Sequence, residues 1–353
     1  MYFSFHPKGD WSLLNEKATE VFGVNEVRNQ VRVYSGCAEA ILEAALGFFQ
    51  QFPLKKKFFY FKNLDPHFDL AVTALSKMGL QASALEIADM AKPEAWQDQL
   101  DREAGIFLYS YDNPVTGALN ATADLDRILK EKSIFRITLS HASHLSSYGA
   151  TGIDIDRSEI QVRQMPFNFA GNGIALSFVG ERGRFGAVTA EASSPCTIED
   201  LIKLKAELEP LAQLATSWPA LIKAHEQKLI GDFKLYFSND RPRVLDRLVF
   251  YFEDIDGHSF LNLLAETYKI SSEKSTKPLQ AAGCDSRFET ASLTRWGGLK
   301  TMDWLKAHDL TPEMVRGLVV IYPEYFTKIS ADELKKQLLD VKTQILRLQN
   351  GES

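Results

Sequence analysis

Two turns in the sequence carry residue types that could hold a ligand. The first, residues 34–39 with the sequence Tyr-Ser-Gly-Cys-Ala-Glu, lies between a predicted strand and a predicted helix. A small hydroxyl side chain followed by glycine lets backbone N–H groups at a helix start converge on an anion, usually phosphate. The second, residues 112–117 with the sequence Asp-Asn-Pro-Val-Thr-Gly, follows a predicted strand and can present the amide of Asn113. Taken alone, each segment also fits an ordinary tight turn.

Other groups of reactive side chains are weaker indications of a functional site. His141 and His144 are spaced so that both could face a metal from one helix, but no cysteine or carboxylate lies at a matching distance. Asp154 and Asp156 could act as an acid–base pair, yet a turn rich in glycine and aspartate explains the same residues. The three cysteines are widely scattered, which favours neither a disulfide framework nor a metal site.

The elements that must position the two turns follow a regular alternation. Apolar runs of strand length alternate with segments of helical periodicity, which predicts an α/β fold with a mostly parallel sheet covered by helices on both faces. The predicted strands are Gln30–Tyr34, Phe58–Phe61, Ile106–Tyr109, Ile134–Ile137 and Gly173–Val179, and the predicted helices are Leu13–Phe22, Ala38–Phe49, Phe68–Met78, Asp124–Lys132 and residues 197–214.

A change of pattern near residue 231 predicts a second domain. We expect a large domain over residues 1–230 and a small C-terminal α+β domain over residues 231–353. In the small domain we expect strands at Arg247–Phe252 and Val315–Ile321, with a helix at Ser259–Thr267 between them.

The C-terminal segment is predicted to be one amphipathic helix. It begins at a capping box formed by Ser330 and Glu333. Its apolar stripe is short, which favours packing onto its own domain over a coiled coil. The residues of that stripe are Leu334, Leu338, Val341, Ile345 and Leu348.

Composition limits the classes of function. Of the 353 residues, 45% are hydrophobic and 24% are charged, as is typical of soluble globular proteins. The net charge of −6 disfavours nucleic-acid and anionic-membrane partners, because those need clustered lysine and arginine. No segment offers the roughly 18 apolar residues that a membrane span needs. We therefore expect a cytoplasmic protein with no nucleic-acid and no membrane partner.

In their order and spacing, the motifs resemble the class V aminotransferase and cysteine desulfurase branch of the pyridoxal-phosphate fold-type-I enzymes. Residues 35–39 are similar to that family's Ser-Gly-Ala-Thr-Glu phosphate turn, and residues 113–117 are similar to its Asn-Pro-x-Gly turn. Residues 171–175, 247–257 and 291–293 resemble later segments of the family. The resemblance runs from about residue 25 to the C-terminus, and it implies a fold-type-I architecture and a homodimer.

The sequence departs from this family where the cofactor chemistry would take place. The family attaches pyridoxal phosphate to a lysine, and the resemblance puts Phe167 or Asn168 at that position. No lysine occurs between Lys132 and Lys203. Thr138 takes the position of the family's aspartate, and a hydroxyl cannot keep the pyridine nitrogen protonated as a carboxylate does.

These departures predict a catalytically degenerate protein that acts by binding a ligand or a protein partner, with no catalytic residue of its own. We expect no covalent cofactor, and pyridoxal phosphate or another phosphorylated compound as a noncovalent ligand. Two alternatives stay open: a pyridoxal-phosphate-dependent desulfurase or aminotransferase, and an enzyme acting on a phosphorylated ligand held in the same crevice. The candidate binding residues are Ser35, Gly36, Cys37, His67, Asn113 and His141.

Overall fold

The computed structural model forms two compact units. The first comprises Met1–Asn113 and Leu119–Gln213, and the second comprises Pro114–Ala118 and Leu214–Ser353. The expected division at residues 230 and 231 stays a prediction. The residues that the structure describes are 11–22, 30–62, 64–101, 103–113, 115–140, 158–164, 175–184, 197–203, 206, 217–236, 242–268, 288–289, 310–326 and 328–351.

A seven-stranded sheet forms the centre of the first unit. Its strands are β1 (Gln30–Tyr34), β2 (Lys57–Phe61), β3 (Gln81–Leu85), β4 (Ala104–Ser110), β5 (Phe135–Ser140), β6 (Ile160–Gln164) and β7 (Ala175–Val179). The strand order is β1-β7-β6-β5-β4-β2-β3. Among these described strands β7 alone runs opposite to the rest, because it pairs antiparallel with both β1 and β6. The predicted mostly parallel sheet is confirmed.

Helices cover both faces of this sheet, as predicted. Alternate residues of each strand belong to different apolar clusters: Leu108 lies in one cluster, whereas Phe107 lies in another. One face packs against α2 (Cys37–Gln51) and α3 (Pro66–Lys77). The other face packs against α1 (Trp11–Phe22) and α4 (Ala123–Glu131), whose apolar side chains close two further clusters. Burial of each phenylalanine side chain in this core contributes roughly 2 kcal/mol to the free energy of folding.

A helical stretch at residues 198–203 follows the sheet. The Asp200 carboxylate accepts from the backbone N–H of Thr197 at 2.8 Å, and the Thr197 hydroxyl accepts from the N–H of Asp200 at 3.2 Å. This reciprocal cap confirms the predicted helix start. Residues 207–214 of the predicted helix lie outside the described part of the chain.

The second unit is a small antiparallel sheet with helices. Its strand order is β10-β11-β9-β8, and each described pair is antiparallel. None of the described helices in either unit has the length and apolar character needed to cross a membrane. The elements of this unit are α5 (Trp218–Leu229), β8 (Lys234–Leu235), β9 (Leu248–Tyr251), α6 (Gly257–Thr267), β10 (Phe288–Glu289), α7 (Pro312–Gly317), β11 (Leu318–Ile321), α8 (Pro323–Phe326) and α9 (Ala331–Gln349).

Two details of the sequence prediction are wrong in this unit. The predicted strand Val315–Ile321 is helical up to Gly317, because the Thr311 hydroxyl caps α7 and the following proline suits the first helical turn. In α9, Leu348 is 67% exposed, so the buried stripe ends at Ile345.

Candidate functional site

Among the described candidates, Ser35, Gly36 and Asn113 lie just beyond one end of the large sheet. The parallel strands place their carboxyl ends there, which is where open α/β sheets bind ligands. Ser35 directly follows β1, and Asn113 lies three residues beyond the end of β4. Thr138 is on β5, in register with Tyr109 of β4. All of these residues belong to the first unit.

The turn before α2 is open to an approaching group. Gly36 occupies the N-cap position with an extended backbone, φ 179° and ψ 163°. A Cβ atom built at Gly36 would meet no heavy atom of the described residues within 4 Å. The N-terminus of a 15-residue helix attracts anions through its dipole and its N–H groups. The space beside Gly36 could therefore admit an anionic ligand.

A carboxylate of the chain already faces this turn. The backbone N–H of Ser35 donates to Oε2 of Glu39 at 3.1 Å, and the Ser35 hydroxyl donates to the same oxygen. Ser35 is exposed and Glu39 is half-buried. A phosphate at this turn would therefore have to displace the Glu39 carboxylate from both donors or accept its negative charge nearby.

The side chain of Cys37 faces the core instead of the open turn. It is fully buried in the apolar cluster beneath α2 and α3. Burial raises the pKa of the Cys37 thiol well above its ordinary value, and the nearby Asp65 carboxylate raises it further. The thiol is therefore neutral at physiological pH, and a neutral, buried thiol is a poor nucleophile.

Asp65 and His67 form a buried pair at the start of α3. Asp65 caps the helix by accepting from the backbone N–H of His67 at 2.8 Å, and the same Oδ1 lies 2.9 Å from Nδ1 of the His67 ring. The aspartate thus fixes the orientation of the imidazole. Asp69, one turn further on, has its pKa raised to about 6 by partial burial and by the charge of Asp65. α2 and α3 pack against each other, and the apolar side chains of both belong to one cluster.

Thr138 and Asn113 are both buried. Oγ1 of Thr138 lies 2.7 Å from Oγ of Ser158 and 3.5 Å from the backbone oxygen of Ile160. The position that the resemblance gives to an acid is therefore a hydroxyl bonded to another hydroxyl. Asn113 is 1% exposed, so its amide is held inside the fold.

Sequence reasoning found some of these residues and missed others. Asp65 and Ser158 were not among the candidates, although an Asp-Pro pair is a recognisable helix start that signals Asp65. Ser158 is 20 residues from Thr138, and no local pattern reveals that pairing. His141, Phe167 and Asn168 lie outside the described residues. Within the described ranges no group of three or more metal-ligating side chains occurs.

Solved structures with a similar fold include a NifS-like protein, a cysteine desulfurase and an aminotransferase. A NifS-like protein matches with a TM-score of 0.65 at 13% identity, covering 96% of this chain and 88% of that chain. A cysteine desulfurase of Thermococcus onnurineus NA1 matches with a TM-score of 0.61 at 10% identity, covering 94% and 84%. Pyridoxamine-pyruvate aminotransferase from Mesorhizobium loti matches with a TM-score of 0.55 at 14% identity, covering 95% and 83%.

These likenesses establish the fold, which is that of cysteine desulfurases and class V aminotransferases. No protein-family profile matches the sequence, and no curated protein sequence matches it. The fold agrees with the one that the sequence motifs imply.

Pyridoxal phosphate is the cofactor that this fold implies, and the residues at the site fit it only in part. The open turn at Gly36 suits a phosphate group. The described end of β5 offers the pyridine nitrogen a hydroxyl at Thr138, which is already paired with Ser158, where a carboxylate would be needed. The Ser35 hydroxyl is engaged by a carboxylate. The described site thus has room for an anion beside Gly36, whereas Thr138, which the resemblance puts at the family's acid position, carries no charge.

Proposed function

We propose that this chain is a catalytically degenerate relative of the cysteine desulfurases and class V aminotransferases, which acts by binding. The observation that carries the proposal is the absence of lysine between Lys132 and Lys203. On the resemblance, that interval contains the position of the family's cofactor lysine. Without an amine there, an aldehyde cofactor has no group with which to form a covalent bond.

Thr138 supports the same proposal. Electron withdrawal by the cofactor requires a protonated pyridine nitrogen, which a facing carboxylate maintains. The Thr138 hydroxyl is neutral and shares a 2.7 Å hydrogen bond with Ser158. Two anchors of the chemistry, the amine and the acid, are thus replaced on this interpretation.

The ligand that we propose is a small phosphorylated compound held noncovalently at the turn of Ser35, Gly36 and Cys37. Its phosphate would accept from the backbone N–H groups at the start of α2, beside the open space at Gly36. His67, fixed by Asp65, and Asn113 are the other proposed binding residues. A protein partner, including a second copy of the chain, remains compatible with a degenerate site.

The proposal is tested with the purified full chain and pyridoxal phosphate. We expect the melting temperature to rise with ligand concentration, because a ligand that binds the folded state stabilises it. After treatment with borohydride, mass spectrometry should detect no pyridoxyl adduct on any lysine. A stoichiometric adduct at one lysine would contradict the proposal and favour a pyridoxal-phosphate-dependent enzyme.

A substitution at Gly36 tests where the ligand binds. Gly36→Ala places a methyl group in open space on an extended backbone, so the melting temperature of the free protein should stay unchanged. If a phosphate approaches the backbone at Gly36, the added methyl should weaken pyridoxal phosphate binding by about tenfold or more. Unchanged affinity would place the ligand elsewhere.

The second candidate is a pyridoxal-phosphate-dependent desulfurase or aminotransferase. It is favoured by the names of the structural neighbours, which include a cysteine desulfurase and an aminotransferase. This candidate requires a lysine from another part of the chain to reach the site. The borohydride experiment separates it from the proposal above, since only this candidate gives a covalent adduct.

A further inference from the structure

The chain after Asn113 forms a loop whose two ends pair with each other beside the large sheet. We call residues 114–118 of this loop the excursion. Asp112 pairs with Leu119, and the backbone N–H of Asn120 donates to the oxygen of Tyr111 at 2.8 Å, so the base of the loop is closed. The residues between them, Pro114–Ala118, belong to the second compact unit, although the residues on either side belong to the first. Asn113 is thus the residue directly before this excursion.

Two contacts hold the excursion within the second unit. Nη1 of Arg247 donates to the backbone oxygen of Val115 at 3.1 Å. Ala118 forms an antiparallel bridge with Arg243, in which the backbone N–H of Val244 donates to the oxygen of Gly117 at 2.8 Å. The carbonyl that Arg247 binds is only two residues after Asn113 in the chain.

Arg247 is rigidly placed for this task. Its side chain is 1% exposed, and it donates to both carboxylate oxygens of Asp246, from Nε at 2.6 Å and from Nη2 at 3.0 Å. Its guanidinium also lies over the Tyr322 ring, 5.2 Å from the centroid. A bidentate pair and an aromatic face fix the planar group in one orientation, which leaves Nη1 aimed at Val115.

Gly117 shows how closely the loop and Arg247 fit. Its φ of +75° is in the left-handed region, which favours glycine. A Cβ atom at this position would also lie 3.1 Å from Nε of Arg247. The backbone of the excursion therefore lies directly against the guanidinium, and glycine makes that approach feasible.

We propose that Arg247, oriented by Asp246, is a positioning residue that sets the conformation of residues 115–118 and through them the place of Asn113 at the binding edge. The effect on a ligand rests on the proposed function, whereas the effect on the loop does not. The two can therefore be measured separately.

The first measurement is hydrogen exchange of the native full chain, without ligand. In Arg247→Lys the ammonium cannot make both the bidentate pair and the bond to Val115. We expect peptides that contain the amides of Ala118 and Val244 to exchange about tenfold faster than in the wild type, with β4 protected as before. Gly117→Ala perturbs the same contact from the loop side and should give the same local pattern, which keeps the test open should the arginine variant fail to fold.

Lys335→Gln is the matched control. Lys335 pairs with the Asp232 carboxylate at 2.5 Å in the same unit, so this variant removes an ion pair that is not among the loop contacts described above. This variant should leave exchange in residues 115–118 unchanged at equal denaturant stability. Unchanged loop exchange in folded Arg247→Lys and Gly117→Ala, or a rise spread evenly over the second unit, would overturn the proposal.

The second measurement is the affinity of the same variants for pyridoxal phosphate. We expect Arg247→Lys to weaken binding by about tenfold and Lys335→Gln to leave it unchanged. If the wild type binds no pyridoxal phosphate, the proposed function fails while the exchange result still decides the role of Arg247. If the wild type binds and a loosened loop leaves affinity unchanged, Arg247 does not position the ligand site.

Discussion

At the scale of single residues, the hydroxyl groups of the site are engaged by the chain itself. Ser35 donates to Glu39, and Thr138 pairs with Ser158. A ligand that bonds to these hydroxyl groups must replace the internal hydrogen bonds. Its binding free energy then gains only the difference in strength between the new bond and the old one. The charge of Glu39 therefore has more influence on an anionic ligand than the hydroxyl groups have.

Glu39→Gln is expected to strengthen phosphate binding. The amide oxygen can still accept from Ser35, but the negative charge facing the ligand is removed. In a partly exposed turn that charge costs roughly 1–2 kcal/mol, so affinity for inorganic phosphate should rise about tenfold. Isothermal titration calorimetry measures this affinity. Glu131→Gln, which changes an exposed residue at the end of α4, is the control for net charge. Equal affinities in wild type and Glu39→Gln would remove this turn as the phosphate site.

Asp69→Asn is expected to stabilise the protein at neutral pH. The folded pKa of about 6 exceeds the ordinary value of 3.8, so the folded state binds the proton more tightly. Ionisation of Asp69 therefore lowers the free energy of unfolding. This loss is absent below about pH 4, grows as pH rises and is complete above about pH 6. The full shift corresponds to roughly 3 kcal/mol, which solvent screening of a half-buried group reduces to about 1 kcal/mol.

Urea unfolding at pH 4 and pH 7 tests the Asp69 prediction. The variant and the wild type should be equally stable at pH 4, and the variant should be more stable at pH 7. Asp98→Asn, an exposed aspartate, should show no such difference. A variant that loses stability at pH 7 would mean that the Asp69 carboxylate is paired in solution.

Sequence alone predicted the strand-to-helix junction at Ser35 and Gly36, which lies between β1 and α2 in the structure. It could not identify the bond between Thr138 and Ser158, because that bond depends on the register of β5 and β6. Nor could it show that Cys37 faces inward, since the inward side of a helix is known only once its packing partner is known. The local structure of the turn was thus predictable, and pairings across strands were not.

At the scale of elements, the sequence analysis did not predict β3 and β6, because their residues are not typical of strands. β3, with the sequence Gln-Ala-Ser-Ala-Leu, is an edge strand that is mostly exposed and lacks β-branched residues. β6 carries Gln161 and Arg163 at buried positions, where Arg163 donates to the Gln161 amide oxygen at 3.0 Å and lies over the Phe178 ring. Tertiary contacts stabilise both strands, so propensity alone could not find them.

His225 on α5 is expected to make the stability of the second unit depend on pH in the acidic range. The ring is fully buried and packs against Phe326 of α8, 5.4 Å between centroids, and neither ring nitrogen has a well-aligned hydrogen bond within the described residues. Burial lowers the pKa of His225, and the Phe326 backbone offsets this only in part. The unfolded state therefore binds this proton first, and stability should fall as pH drops below about 6.5.

His225→Leu is expected to flatten that pH dependence. A single proton changes the free energy of unfolding by at most about 1.4 kcal/mol per pH unit. Denaturant midpoints between pH 7.5 and pH 5 should fall less steeply in the variant than in the wild type. The prediction is wrong if both proteins have the same slope.

Gly317→Ala is expected to damage the junction of α7 and β11. A Cβ atom there would lie 1.9 Å from the backbone oxygen of Phe252, so a strand of the small sheet would have to move. We expect a loss of about 3 kcal/mol or more, visible as a lower melting temperature. Gly36→Ala is the matched control, since its Cβ meets nothing within 4 Å. A folded Gly317→Ala variant of unchanged stability would contradict the close approach.

At the scale of the whole molecule, we propose that the chain is a homodimer, as its resemblance implies. Closed twofold dimers are the commonest soluble oligomers. Light scattering coupled to size-exclusion chromatography should give twice the chain mass of 39.7 kDa at micromolar concentration. A mass of one chain over that range would refute the proposal.

The pairing of β1 with β7 has a consequence for biosynthesis. β1 and its partner β7 are about 150 positions apart in the sequence, Gln30 facing Val179. At a translation rate of about 5–20 residues per second, the first strand waits about 8–30 seconds on the ribosome before its neighbour emerges. During that delay its hydrogen-bonding edge has no native strand to pair with, and such edges promote aggregation. Nascent chains of this protein should therefore be clients of ribosome-associated chaperones until β7 is made.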